Sequence, residues 1–274
     1  PTPDGVAARP PAPVTALPTP PLLGFTTAGI AALTTDQVAA IETRDIAALT
    51  TRQVAALTTD GVAVLTTAQA QALTSAGIAV LSTDQVVAIG TEQVAALTTA
   101  QVQAITTAGV AALTTDQVQA IETRDIAVLK TTQVAALTTD AVAALSTAQI
   151  QAVTSAGIAV LDTSQVAAIG TEQVAALTTA QVQAISTSGV AAMTTEQISA
   201  LETRDIAVLK STQVAALSTD GVAALSTAQI QAVTSAGIAA LNTAQVVAIG
   251  TEQIAAINST QLQAISTSGV AAMT

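Results

Sequence analysis

The chain has 274 residues, half of them hydrophobic, with one aromatic residue, no cysteine, no histidine, and 7 basic against 18 acidic side chains for a formal net charge of −11. Without cysteine there is no disulfide, thiolate metal site or thiol nucleophile, and without histidine the usual general base and commonest metal ligand are missing. The acidic balance does not suit a phosphate backbone, the apolar content is far from that of disordered chains, and polar residues interrupt every apolar run before the roughly 18–20 residues of a membrane span.

In chain order, residues 1–24 stand apart. All eight prolines lie there, in PTP, RPPAP and LPTPP contexts. Such a segment favours extended polyproline II and reads as a linker or arm. It shows no signal-peptide layout and no initiator Met precedes it, so it is expected to be mature or excised.

From residue 25 to the end the chain is an octapeptide array: FTTAGIAA, LTTDQVAA, IETRDIAA, LTTRQVAA and onward, 31 units in unbroken register through residue 272. A fixed short period predicts a solenoid. Each unit has the logic of a very short helix. In LTTDQVAA at 33–40, Thr34 is placed as N-cap and Gln37 completes a capping box. Leu33 and Val38 occupy the two positions of a hydrophobic staple. Asp36 falls in the first turn, where the helix dipole favours a negative charge, and Ala39 and Ala40 are strong helix formers. The next Thr or Ser caps the following helix, so each helix is about a turn and a half long. One continuous helix does not fit, because at about 100° per residue each unit moves the apolar position by about 80°. A β-solenoid is the alternative, since Thr, Val and Ile favour strands. Strict alternation, however, puts positions 1 and 6 on opposite faces, and the Ala pairs and Gln are poor strand formers. The expected fold is therefore an all-α solenoid of very short stacked helices over 25–274.

A second period runs through the array. Counting units from 0 at Phe25, all twelve glycines inside the array fall in even units, whereas every polar residue at unit position 7 (Gln71, Gln103, Gln119, Gln151, Gln183, Ser199, Gln231, Gln263) falls in an odd one. This alternation predicts two units per solenoid turn, with one lane showing position 7 to solvent or a partner. A third period, ten units long, returns IETRDIAA from 41–48 at 121–128 and, as LETRDIAV, at 201–208. Phe25 opens the array at a Leu position and is expected to plug its end. A lone unit buries too little to fold, so stability must come from stacking. The last two residues begin a further unit with no cap after them, which predicts end-to-end association or a slice of a longer array.

Candidate chemistry is sparse. The position-4 acids, such as Asp36, Asp60, Glu92 and Asp116, read as first-turn charges on a solvated face. They lie one per unit and do not converge as a Ca²⁺ site requires. Positive charge gathers at the ETRD motifs: Arg44, Arg124 and Arg204 stand beside Glu42 and Asp45, Glu122 and Asp125, Glu202 and Asp205, with Lys130 and Lys210 following two of them. Local ion pairing accounts for these charges. The sharper expectation makes these same side chains contact points between protomers. No Ser or Thr has a partner suited to activate it, so no enzymatic activity and no cofactor is expected. Regularly spaced Thr would form an ice-ordering surface if exposed on a flat face, whereas as N-caps their oxygens are occupied by backbone N–H groups.

STDQVVAIG at 82–90 is similar to the opening helix of transcription-activator-like effector repeats, but that family's longer repeat period and basic balance are missing, so no nucleic-acid partner is carried over. The whole array more closely resembles the LTTAQVAAL-type octapeptide tracts of very large secreted bacterial surface proteins, often labelled adhesins or heme-utilisation proteins. That resemblance implies an extracellular or cell-surface fibre; together with the uncapped end and the Pro-rich arm, the expectation is a rod or self-assembling filament, a homo-oligomer by end-to-end or lateral packing. The heme label finds no axial ligand: His, Tyr and Cys are absent, and Met193 and Met273 sit at Leu positions.

Overall fold

A computed structural model describes residues 24–273; the Pro-rich arm lies, but for Gly24, outside them. The described residues hold thirty-one short α-helices, from α1 (Thr27–Ala31) to α31 (Thr267–Ala272), one per octapeptide unit, and no strand. The helical solenoid is the observed fold, and the β alternative is not.

Capping makes each helix. In α2 (Thr35–Ala39) the Gln37 N–H donates to Thr34 Oγ1 at 3.3 Å, and Thr34 N–H donates to Gln37 Oε1 at 2.9 Å, closing the box. Two extended residues then turn the chain. Between α6 (Thr67–Ala72) and α7 (Ser75–Ile78) these are Leu73 (φ −60°, ψ 135°) and Thr74 (φ −70°, ψ 154°), the second being the next N-cap.

The chain falls into two compact segments, one through Ile105 and one from Thr106. Within each, helices pack against the helix three units away. In the first, α1 packs on α4 (Thr51–Ala55) and α3 (Thr43–Ala47) on α6. In the second, α17 (Ser155–Ala159) packs on α20 (Thr179–Ala184) and α18 (Thr163–Ala168) on α21 (Thr187–Ala192).

The expected two-unit turn is thus corrected to three units. The reason is geometric. Positions 1 and 6 are both buried, as at Leu49 (6% exposed) and Val54 (1%). A corner residue and a mid-helix residue can both point at one axis only in a closed polygon, and three sides are the fewest that close. Leu, Ile and Val from successive sides fill that axis. Around Val134, Leu145, Ile150 and Ile158 the residual void is only about 10 Å³, room for about one water molecule at most. A Leu- and Val-sized core of this kind leaves little room for rings. Phe25, half-buried, sets its ring against Gly29 at the start of the array.

The odd/even alternation has a different origin from the one expected. Three is an odd number, so helices that stack on one another belong to opposite parities. The alternation therefore runs along each stack rather than around each turn. At position 5, glutamine in one helix is followed in many stacks by glycine in the next. A Cβ on Gly157 would approach Val134 Cγ2, in the helix three units earlier, to 3.2 Å, and one on Gly237 would approach Val214 Cγ2 to 3.1 Å.

Candidate functional site: the glutamine ladder and the ETRD motifs

A capping box uses only the oxygen of a Gln amide. In the folded array the nitrogen reaches into the preceding turn. Gln69, 2% exposed, donates from Nε2 to the carbonyls of Val38 (3.0 Å), Ala39 (3.2 Å) and Ile41 (2.7 Å). Gln149 does the same to Val118 (2.9 Å) and Ile121 (2.7 Å), and Gln181 to Ile150 and Val153, both at 2.7 Å. Each glutamine thus ties its own N-cap to a helix end and corner in the turn before it. The Val38, Val118 and Ile150 carbonyls each also accept a backbone N–H from the corner residue three positions on, so the glutamine adds a second donor there and reaches the corner carbonyl as well. The sequence pattern places the glutamine in the box and does not reveal the ladder. The available signal is the amide donor that a capping box leaves unused.

Position 7 also joins turns. Gln71 Nε2 donates to the Ala96 carbonyl (2.6 Å), Gln151 to Ala176 (2.7 Å), Gln183 to Val208 (2.9 Å), Gln231 to Ala256 (2.8 Å), and Ser199 Oγ to Ala224 (3.2 Å). Each link satisfies a carbonyl at the C-terminal end of the helix three units on. These exposed side chains form links between turns, and the expected single lane at position 7 is corrected with the turn size.

The ETRD motifs bring their charges together locally. Arg44 Nε lies 2.9 Å from Glu42 and 3.4 Å from Asp45; Arg124 lies 2.8 Å from Glu122 and 3.6 Å from Asp125; Arg204 lies 2.9 Å from Glu202 and 3.8 Å from Asp205. The Glu and Arg side chains are about half exposed. Asp45 (4% exposed), Asp125 (1%) and Asp205 (0%) are buried at helix position N3. The aspartates therefore face the interior of the array, and each motif shows Glu and Arg outward. Each of the three carboxylates has at least one buried oxygen without a hydrogen-bond partner. Burial pushes the carboxyls of Asp125 and Asp205 above the usual range, against the pull of the adjacent Arg124 and Arg204 guanidinium groups. Lys130 N-caps α14 (Thr131–Ala135), its backbone N–H donating to Gln133 Oε1 at 3.0 Å. Lys210 sends Nζ to the Gln183 carbonyl at 3.0 Å.

The hydroxyls at position 2 are caps: Thr58 Oγ1 accepts from Gly61 N–H at 3.0 Å and Ser226 Oγ from Gln229 N–H at 3.2 Å. At two of the three glycine caps, Gly90 and Gly250, open grooves of about 550 and 380 Å³ flank the helix start, lined mainly by Thr, Ala and one Glu each. Among the described residues no three His, Cys, Asp or Glu side chains converge on a metal position, and no helix is long and apolar enough to cross a membrane.

A triangular stack of capped octapeptides, tied turn to turn by side-chain amides, defines a helical repeat protein whose recurring feature is its own internal interface. The family pattern described as the ALTTAQ repeat matches residues 38–75, 71–99, 95–121, 118–155, 150–179, 175–203 and 198–235. The chain belongs to the ALTTAQ repeat family. No curated protein and no solved structure matches it.

Proposed function

We propose that this chain is a non-enzymatic building segment of an extracellular or cell-surface fibre, a rod or filament of the adhesin-stalk type that grows by stacking further turns. The carrying observation is self-complementarity. Within each compact segment one turn joins the next through recurring glutamine links and Leu/Val contacts, so an open turn presents a surface that another turn of this sequence fits.

The last turn described shows what such a surface holds. Leu262 is 53% exposed and Val270 50%, whereas their counterparts ten units earlier, Val182 and Val190, are 1% and 2% exposed. A following turn, in the same chain or in a second copy, covers them. The half-exposed Glu42–Arg44, Glu122–Arg124 and Glu202–Arg204 pairs, spaced ten units apart, are the lateral protomer contacts in this reading.

Sedimentation velocity over a wide concentration range tests assembly. Species that lengthen with concentration are expected, and a persistent monomer at high concentration defeats the filament. Protease shaving of intact cells tests the location, with ALTTAQ peptides expected in the shaved fraction.

A further inference from the structure

Asp205 stands at position N3 of α23 (Thr203–Ala207), where the flanking helices α22 (Thr195–Ala200) and α24 (Ser211–Ala216) carry the buried amides Gln197 and Gln213. An amide at this place both accepts and donates: Gln197 takes the Thr194 N–H at 2.8 Å and donates to the Ile169 carbonyl at 2.6 Å. An ionised carboxylate can only accept. Asp205 is 0% exposed, and neither of its oxygens has a hydrogen-bond partner.

The surrounding charges do little to compensate it. Arg204 Nε is 3.8 Å away but only 2.9 Å from Glu202, and its side chain is 60% exposed. The Glu202 backbone N–H lowers the Asp205 pKa without reaching hydrogen-bond geometry. The helices packed against α23 are α20 (Thr179–Ala184) and α26 (Thr227–Ala232), and neither carries a titratable side chain. In α26, Gln229 is committed to the carbonyls of Ile198, Ser199 and Leu201. Lys210, which caps the next helix, has its ammonium on the Gln183 carbonyl. The exposed Glu196 of α22 adds only negative charge.

We propose that Asp205 is a proton-operated latch on the array: ionised, its buried unpartnered charge marks a turn that opens preferentially, and protonated, it is neutral and the turn closes. Asp125, buried at the same position of the preceding ETRD motif, shares the chemistry ten units earlier. The sign follows from burial. Because the folded-state pKa of Asp205 is raised, the stabilisation from proton uptake is complete below the unfolded value of about 3.9 and is lost as pH rises through the folded one. The turn around Asp205 tightens on acidification and is weakest at neutral pH.

Native-state hydrogen exchange of the full chain, corrected for intrinsic rates, tests this. In the wild type, protection of peptides spanning 203–207 and 227–232 is expected to rise between pH 7 and about pH 3.5, below the unfolded carboxyl value where the effect is complete. In Asp205→Asn it is expected to be high at pH 7 and to stay flat. Asp205→Ala copies Ala141, which occupies the same position of α15 (Thr139–Ala144), and is expected to behave like the Asn variant. Protection in the wild type that does not change with pH, or either variant less protected than wild type at pH 7, overturns the latch.

Discussion

Gln69 Nε2 donates to the carbonyl of Ile41, in the preceding turn, at 2.7 Å, while the same side chain's Oε1 accepts the N–H of its own N-cap, Thr66, at 2.8 Å. One amide thus completes a local helix start and bonds the turn before it. This double use makes the glutamine register the main polar determinant of stacking.

Gln149 tests that role. Replacing it by Ala removes both functions and leaves the Val118 and Ile121 carbonyls without this donor. Gln149→Ala is expected to lower the unfolding free energy by about 1–3 kcal/mol. Gln149→Glu keeps the acceptor, loses the donor and buries a charge, so it is expected to cost more at pH 7 than at pH 4. Urea denaturation followed by circular dichroism at both pH values measures the difference, and an alanine variant as stable as wild type contradicts the ladder.

Leu177 is 0% exposed on the solenoid axis, and Leu262 is 53% exposed on the last turn. Leu177→Ala is expected to cost roughly 2–5 kcal/mol, and Leu262→Ala less than about 1 kcal/mol. If fibres grow over the last turn, Leu262→Ala should also slow assembly, read as a smaller sedimentation coefficient at equal concentration.

Two glycines should respond in opposite ways to a side chain. A Cβ on Gly157 would meet Val153 Cγ1 at 2.8 Å and Val134 Cγ2 at 3.2 Å, so Gly157→Ala is expected to destabilise by about 1–3 kcal/mol through overpacking. Gly90 is an N-cap with φ −69°, and its nearest neighbour to a new Cβ is Gln93 Oε1 at 3.7 Å. Gly90→Ser supplies the missing cap hydroxyl and is expected to stabilise by a few tenths of a kcal/mol. Thermal melts of the two variants side by side settle the contrast.

Carboxyl titration should separate two classes. Hydrogen bonds from its own backbone N–H and from Thr194 and Thr195 hold the Glu196 carboxyl below the usual range, while burial holds Asp125 above it. Glu196 therefore favours folding above its unfolded pKa and loses that effect as pH falls through the folded value. Asp125 works in the reverse sense, favouring folding at low pH and losing the effect as pH rises through its folded value. Carbon-detected NMR titration is expected to place the Glu196 midpoint below, and the Asp125 midpoint above, those of the same groups in unfolded peptides.

The amino-acid sequence by itself determined each octapeptide. Thr34 as cap, Gln37 in the box, Val38 facing the core and Asp36 in the first turn are all found as expected, because capping, staple and dipole act within a single unit. Tertiary structure alone decided what those residues do beyond their own unit. The links that set three units per turn, from Val134 to Gly157 and from Ile41 to Gln69, join positions that no local rule brings together. A two-unit alternation in sequence is compatible with either turn size until the stacking partner is known. Burial of Asp45, Asp125 and Asp205 was hidden for the same reason: an aspartate at N3 is ordinary on an isolated helix, and only the turns stacked against it remove its carboxylate from water.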